Sequence, residues 1–223
     1  MEIGDIAVLV ALIMSIVLHE MAHGYAANWL GDPTARLQGR LSPNPLVHID
    51  PLGSVILPAL LFISNAGFLF GWAKPVPYNP YNLSDQRYGE AKVAAAGPAM
   101  NIFLALVFGT LIRFSSILGL NEAFLALAAY IVFINILLAF FNMLPIPPLD
   151  GSKIISAVLP FRAAMKYQAF LRTVERYGIF VLLIGLFLVI NIIWPYLFTV
   201  VMLVASLFTG LEIVDFANLM RLL

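Results

Sequence analysis

The chain has 223 residues, of which 62% are hydrophobic and 11% charged, and its formal net charge at pH 7 is zero. Several apolar stretches approach or exceed the roughly 20 residues that a helix needs to cross a bilayer, so we expect an integral membrane protein embedded in lipid. The neutral balance indicates neither a nucleic acid nor an acidic partner. The lack of cysteine excludes disulfides and thiolate metal ligands.

The first predicted span covers residues 6–30 and contains His19-Glu20-Met21-Ala22-His23. Positions i and i+4 of a helix lie on one face, so His19 and His23 can bind one metal ion while Glu20 contacts a water on that ion. This H-E-x-x-H pattern is typical of two zinc ligands and a general base. Charged groups in an apolar helix cost about 2.5 kcal/mol or more each and persist mainly for function. The pattern therefore predicts a zinc site that activates water.

Residues 35–41 alternate weakly between apolar and polar side chains, which predicts a short membrane-embedded strand. A turn-rich segment with several prolines follows over residues 42–51 and contains His48 and Asp50.

The apolar stretch from Leu52 to Trp72 is interrupted by Pro58 and by residues 64–67. If it crosses the membrane, the Lys and Arg residues divide nine to three between the two sides, and if it dips in and returns they divide eleven to one. The positive-inside rule favours the second arrangement, and broken backbone is tolerated at membrane depth where protein or water covers it. We therefore expect a re-entrant stretch, an amino terminus outside the cell and a metal motif nearer the cytoplasmic face.

Further spans are predicted at about residues 93–114 and 123–143, followed by an amphipathic interfacial helix over 161–176. The last apolar run is divided by Trp194-Pro195, which predicts two C-terminal spans at about 177–194 and 195–210. No polar linker separates these segments, so residues 1–223 are expected to form a single domain in an all-α polytopic membrane protein.

A catalytic zinc usually has three protein ligands, so one ligand remains to be found. Asp150 is the best candidate because it follows a span that runs inward and lies in a proline-rich break of the backbone. His48 is the rival, as the only other histidine. Glu122 and Glu212 are the other carboxylates near apolar stretches.

Three motifs together resemble the site-2 protease family of intramembrane zinc metalloproteases. They are His19 to His23 on the first span, Gly97-Pro98-Ala99-Met100-Asn101, and the pair Asn142-Met143-Leu144-Pro145 and Leu149-Asp150-Gly151. The resemblance implies a three-helix catalytic core, here spans 6–30, 93–114 and 123–143. It also implies one Zn²⁺ per chain on His19, His23 and Asp150, Glu20 as the catalytic base, and Asn142 near the substrate or the oxyanion. The chain looks like the small prokaryotic branch that has no PDZ or CBS module.

The implied activity is hydrolysis of a peptide bond within or near the transmembrane segment of a single-span membrane protein, as in regulated intramembrane proteolysis. The residue 35–41 strand could then hold an unwound substrate segment along its edge. Two alternatives stay open: a membrane metal transporter, which needs polar groups along several spans, and a non-catalytic scaffold that binds transmembrane helices. Cobalt or iron could occupy the same set of ligands.

Overall fold

The computed structural model describes residues 3–64, 71–176 and 189–222, and the regular elements in these ranges are all helical. The α-helices are, in chain order, α1 (Ile3–Trp29), α2 (Thr34–Leu37), α3 (Leu57–Ile63), α4 (Gly89–Arg113), α5 (Ser115–Leu118), α6 (Glu122–Asn142), α7 (Asp150–Val158), α8 (Phe161–Arg176), α9 (Trp194–Thr209) and α10 (Ile213–Met220). Helices α1, α4 and α6, together with residues 191–209, are long and apolar enough to cross a membrane. The predicted all-α polytopic fold is confirmed. Residues 177–188, which hold most of the first predicted C-terminal span, lie outside the described ranges.

Helices α1, α4 and α6 pack together, and α9 covers the α4–α6 pair. Small residues such as Ala105, Ala129 and Ala205 are fully buried in these contacts. Lipid supplies no hydrophobic force to bring helices together, so their association in a membrane depends on close packing. Small side chains allow the helix backbones to approach closely enough for such packing. Gly109 shows this directly, since a Cβ added there would lie 2.9 Å from the Cβ of Phe208.

The strand predicted over residues 35–41 is wrong. Residues Thr34–Leu37 form the short helix α2, and the Arg40 N–H donates to the Ala35 carbonyl at 2.9 Å. Gly39 then turns the chain with a φ of +66°. The backbone groups of this segment are satisfied locally, so there is no ladder for a strand to join.

The described residues at the two ends of the apolar stretch from Leu52 to Trp72 are in contact. The stretch opens with a π-helical turn over Pro51–Ile56 and continues into α3. The Trp72 N–H donates to the Gly53 carbonyl at 3.2 Å, and the Ser54 hydroxyl donates to the Trp72 carbonyl at 2.8 Å. Both ends therefore lie side by side, as a re-entrant stretch requires.

The end of α9 lies beside the end of α4. Arg113 donates to the Leu207 carbonyl, and Gly210 lies against the Arg113 guanidinium. Helix α10 begins three residues after Gly210, at Ile213.

Candidate metal centre

Two helices bring three donor atoms to one point. Helix α1 presents His19 and His23 one turn apart, and Asp150 stands at the first position of α7. The two Nε2 atoms lie 3.0 Å apart, and each lies 3.3 Å from Oδ2 of Asp150. His19 and Asp150 are buried, with exposed fractions of 6% and 8%. The predicted ligands thus form a compact cluster in which any two donor atoms lie within 4.8 Å.

The hydrogen bonds on the far side of each imidazole determine its tautomer. His23 Nδ1 lies 2.7 Å from the Val93 carbonyl, which can only accept, so Nδ1 carries the proton. His19 Nδ1 lies 2.5 Å from Oδ1 of Asn101, and the Asn101 amide nitrogen donates onward, so this Nδ1 also donates. Both Nε2 lone pairs therefore converge with a carboxylate oxygen. Three converging lone pairs repel one another unless a cation lies between them.

The spacing of these donors fits zinc. Zinc bound tetrahedrally at about 2.0–2.1 Å places neighbouring ligand atoms about 3.3–3.4 Å apart. The observed separations of 3.0 and 3.3 Å are close to that value. Three ligands from two imidazoles and one carboxylate leave a fourth position, which is the arrangement of catalytic zinc sites.

A chain of buried polar side chains extends from His19 through three helices. Asn101 on α4 donates its amide to Oδ1 of Asn135 on α6 at 2.8 Å, and Asn135 donates to the Ser15 hydroxyl on α1 at 2.9 Å. Both asparagines have no exposed surface. No sequence pattern assigned Asn101 to the metal centre, although its position four residues after Gly97 on an apolar helix was a signal.

Gly97 lets α4 approach the imidazoles. A Cβ at this position would lie 2.5 Å from Nε2 of His23 and 2.6 Å from Nε2 of His19. Only a residue without a side chain leaves room for a metal ion and its ligands here. The glycine of the Gly97-Pro98 motif is thus explained by close approach to the centre.

Asp150 is placed by the proline-rich turn after α6. An added Cβ on Gly151 would collide with the carbonyl oxygens of Met143 and Leu144, so the turn packs directly against the start of α7. The Ser152 hydroxyl donates to the Leu149 carbonyl at 2.7 Å, which satisfies the turn from the other side. These contacts hold the carboxylate against α1.

The other predicted site residues lie outside the three-residue cluster. His48 is buried, but its Nε2 bonds to the Ser42 carbonyl at 3.0 Å, so it organises the 42–48 turn. Asn142 donates its amide to the Leu138 carbonyl on its own helix at 2.9 Å. Glu20 is partly buried, and its Oε2 accepts a hydrogen bond from the Val76 N–H at 2.9 Å.

Lys153 and Tyr78 form a second polar group near the centre. Lys153 follows Asp150 by one helical turn, and its ammonium lies 5.2 Å from the centroid of the Tyr78 ring. Burial lowers the pKa of Lys153, but Tyr78 and the Asp150 carboxylate outweigh this effect and raise it above its ordinary value. Burial raises the pKa of the Tyr78 hydroxyl. In the sequence, Lys153 is one of the Lys and Arg residues counted under the positive-inside rule, and no pattern there places it near the metal centre.

Comparisons with known proteins agree with this geometry. The model of peptidase family M50 matches residues 118–185. The chain is 35% identical over 202 residues to YwhC of Bacillus subtilis (strain 168), which is named as a zinc metalloprotease, and the match covers 84% of each protein. It is 32% identical over 154 residues to Rip2 of Mycolicibacterium smegmatis, also named as a zinc metalloprotease, covering 66% of this chain and 54% of Rip2. No solved structure matches the chain.

The match to YwhC extends over most of both proteins, and the cluster supplies the ligands that zinc requires. The chain therefore belongs to peptidase family M50, the family of the site-2 proteases, and is a zinc-dependent membrane protease.

Proposed function

We propose that the protein is an intramembrane endopeptidase that cleaves a single-span membrane protein within or near its transmembrane segment. The observation that carries the proposal is the convergence of His19, His23 and Asp150 beside Glu20, on a helix long and apolar enough to span the bilayer. Substrates that reach such a site come from the membrane. The division of Lys and Arg supports a centre that faces the cytoplasm and an amino terminus outside.

Each residue of the cluster has a role in this reaction. His19, His23 and Asp150 would hold the zinc, which when bound would supply an acidified water and polarisation of the scissile carbonyl. Glu20 takes the proton of that water and passes it to the leaving amine. Oε2 of Glu20 accepts a hydrogen bond from the Val76 N–H, which favours Oε1 as the oxygen that takes the proton. Asn142 stands near the end of α6 and can rotate from its helix to donate to the substrate.

The test compares wild type, Glu20→Gln and Asp150→Asn, purified in detergent with a panel of single-span model substrates. Glu122→Gln is the matched control, since Glu122 is an exposed carboxylate at the other end of α6. We expect Glu20→Gln to keep its zinc and lose cleavage, Asp150→Asn to lose much of both, and the control to match wild type. Cleavage that survives Glu20→Gln would refute the mechanism, and zinc bound as tightly by Asp150→Asn would refute the third ligand.

A further inference from the structure

Arg40 is a buried cation without a carboxylate partner. Its exposed fraction is 6%, and it takes part in none of the ion pairs found among the described residues. Its Nη2 donates instead to two backbone carbonyls, of Lys74 at 2.7 Å and of Pro75 at 3.2 Å. Burying a charge without a counter-charge costs free energy, so such a residue calls for an explanation.

The peptide group that Arg40 contacts is the one that contacts Glu20. The carbonyl of Pro75 accepts from the guanidinium, and the N–H of the same peptide unit, contributed by Val76, donates to Glu20 Oε2 at 2.9 Å. One planar peptide thus connects a buried cation to a carboxylate. Hydrogen bonds in such a chain polarise and strengthen one another in a low dielectric.

The segment that carries this peptide is attached at both ends. The Lys74 N–H donates to the His48 carbonyl at 2.8 Å, and the Asn79 N–H donates to Oδ2 of Asp32 at 2.7 Å. Residues that precede a proline are restricted to extended backbone, which applies to Lys74 and Val76. The Pro75–Val76 peptide is therefore held in one orientation.

The face of α1 that carries Glu20 is shaped to receive this segment. Gly24 lies one turn after Glu20 on the same face, and a Cβ there would lie 2.9 Å from Cγ1 of Val76. Val76 is buried, with an exposed fraction of 6%. The glycine allows the segment to approach closely enough for the Val76 N–H to reach the carboxylate.

We propose that Arg40 is a positioning residue for Glu20, acting through the Pro75–Val76 peptide. This inference rests on the proposed role of Glu20 as the base. The relay holds Oε2 away from the reacting water and leaves Oε1 to face it. Misplacement of a catalytic group by about 1 Å can reduce the rate about 100-fold, so loss of the relay should lower kcat.

The experiment measures kcat, KM and zinc content for the full-length, zinc-loaded protein with a single-span model substrate. The variants are Arg40→Met, Arg40→Lys, Val76→Pro and Val76→Ala, with Arg36→Met as the control because Arg36 is exposed on the preceding helix α2. Val76→Pro removes the N–H donor and the buried Val76 side chain in a segment already extended between two prolines, whereas Val76→Ala removes the side chain and keeps the donor. If Arg40→Met does not fold, the comparison of kcat between Val76→Pro and Val76→Ala tests the proposal.

We expect Arg40→Met and Val76→Pro each to lower kcat about ten-fold or more, with KM and zinc content unchanged. Arg40→Lys should have a kcat between those of Arg40→Met and wild type. The kcat of Val76→Ala should be about ten-fold higher than that of Val76→Pro, and the kcat of Arg36→Met should equal that of wild type. The proposal is overturned if Arg40→Met and Val76→Pro both keep kcat within two-fold of wild type, or if these variants change zinc content or KM instead of kcat. It is also overturned if Val76→Ala lowers kcat as much as Val76→Pro does. Full activity of Glu20→Gln would instead overturn the proposed role of Glu20 as the base, and failure of the wild type to cleave any single-span substrate would overturn the proposed function.

Discussion

At the residue scale, the metal centre depends on groups that never touch the metal. Oδ1 of Asn101 and the Val93 carbonyl each accept a hydrogen bond from an Nδ1–H, so both histidines present an unprotonated Nε2. Partners of this kind are commonly worth 10–100-fold in metal affinity, because they fix the tautomer and the orientation of the ring. We therefore expect zinc affinity to depend on the hydrogen-bonded side chains that lead from His19 through Asn101 to Asn135 and Ser15.

Replacement of Asn101 by Leu is expected to weaken zinc binding about 10–100-fold, since His19 loses its acceptor while the apolar side chain fills a similar volume. Competition with a chelator of known affinity measures the effect. Asn218→Leu is the control, because Asn218 is exposed on α10. An Asn101→Leu variant that binds zinc as tightly as wild type would show that Asn101 serves only for helix packing.

Gly97→Ala is expected to abolish or severely weaken zinc binding, because the added methyl would lie 2.5–2.6 Å from both metal-facing nitrogens. Gly109→Ala on the same helix is the matched control, since its Cβ would meet Phe208 instead. That variant should lose thermal stability and retain zinc affinity. Equal loss of zinc in both variants would mean that α4 packing, and not space at the centre, controls the site.

At the element scale, the loops that surround the centre are organised by a buried carboxylate. Asp32, which has no exposed surface, accepts hydrogen bonds from Thr34, from the Asn79 N–H and from the Asn82 amide. It thereby joins the end of α1 to the segment that reaches Glu20. Burial raises the pKa of Asp32, but these hydrogen bonds outweigh it and lower the pKa below its ordinary value.

Asp32→Asn is expected to lower the free energy of unfolding by about 2 kcal/mol at neutral pH, because hydrogen bonds to a charged group are lost. Since the folded-state pKa is depressed, this contribution is present above the unfolded-state pKa of about 3.9 and is lost as the pH falls through the lower folded value. Unfolding in micelles at pH 7 and at lower pH measures the difference. A gap between wild type and variant that persists unchanged into acid would contradict this account.

At the scale of the whole molecule, the contacts show which loops lie at the same end of the helix bundle. The Ser84 N–H donates to the Leu30 carbonyl at 2.8 Å, so the start of α4 adjoins the end of α1. Gly53 and Trp72, near the two ends of the stretch that is predicted to be re-entrant, are hydrogen-bonded to each other. The loop that carries α5 lies at the opposite end of α4.

Single cysteines test this topology without background, because the natural chain contains none. We expect Asn44→Cys and Tyr81→Cys to react with a membrane-impermeant thiol reagent from one side, and Ser116→Cys from the other. All three positions are exposed. If residues 44 and 81 react from opposite sides, the stretch between them crosses the membrane and the re-entrant topology is wrong.

The features that could be predicted from the sequence are those that depend on patterns within a single helix. Hydropathy places the membrane helices, and the i, i+4 spacing places His19 and His23 on one face, because both are properties of a single helix. The strand prediction for residues 35–41 was wrong because weak alternation over seven residues does not outweigh local turn hydrogen bonds.

The sequence by itself therefore predicted the class of protein, the membrane helices, and the histidine pair of α1 with its neighbouring glutamate as ligands and base. Only the tertiary structure decided that Asp150, and not His48, completes the cluster. Only it showed that Asn101 orients His19 across 82 residues and that Val76 reaches Glu20 across 56. These contacts join residues far apart in the chain, and packing between helices, which no local pattern encodes, determines which of them meet.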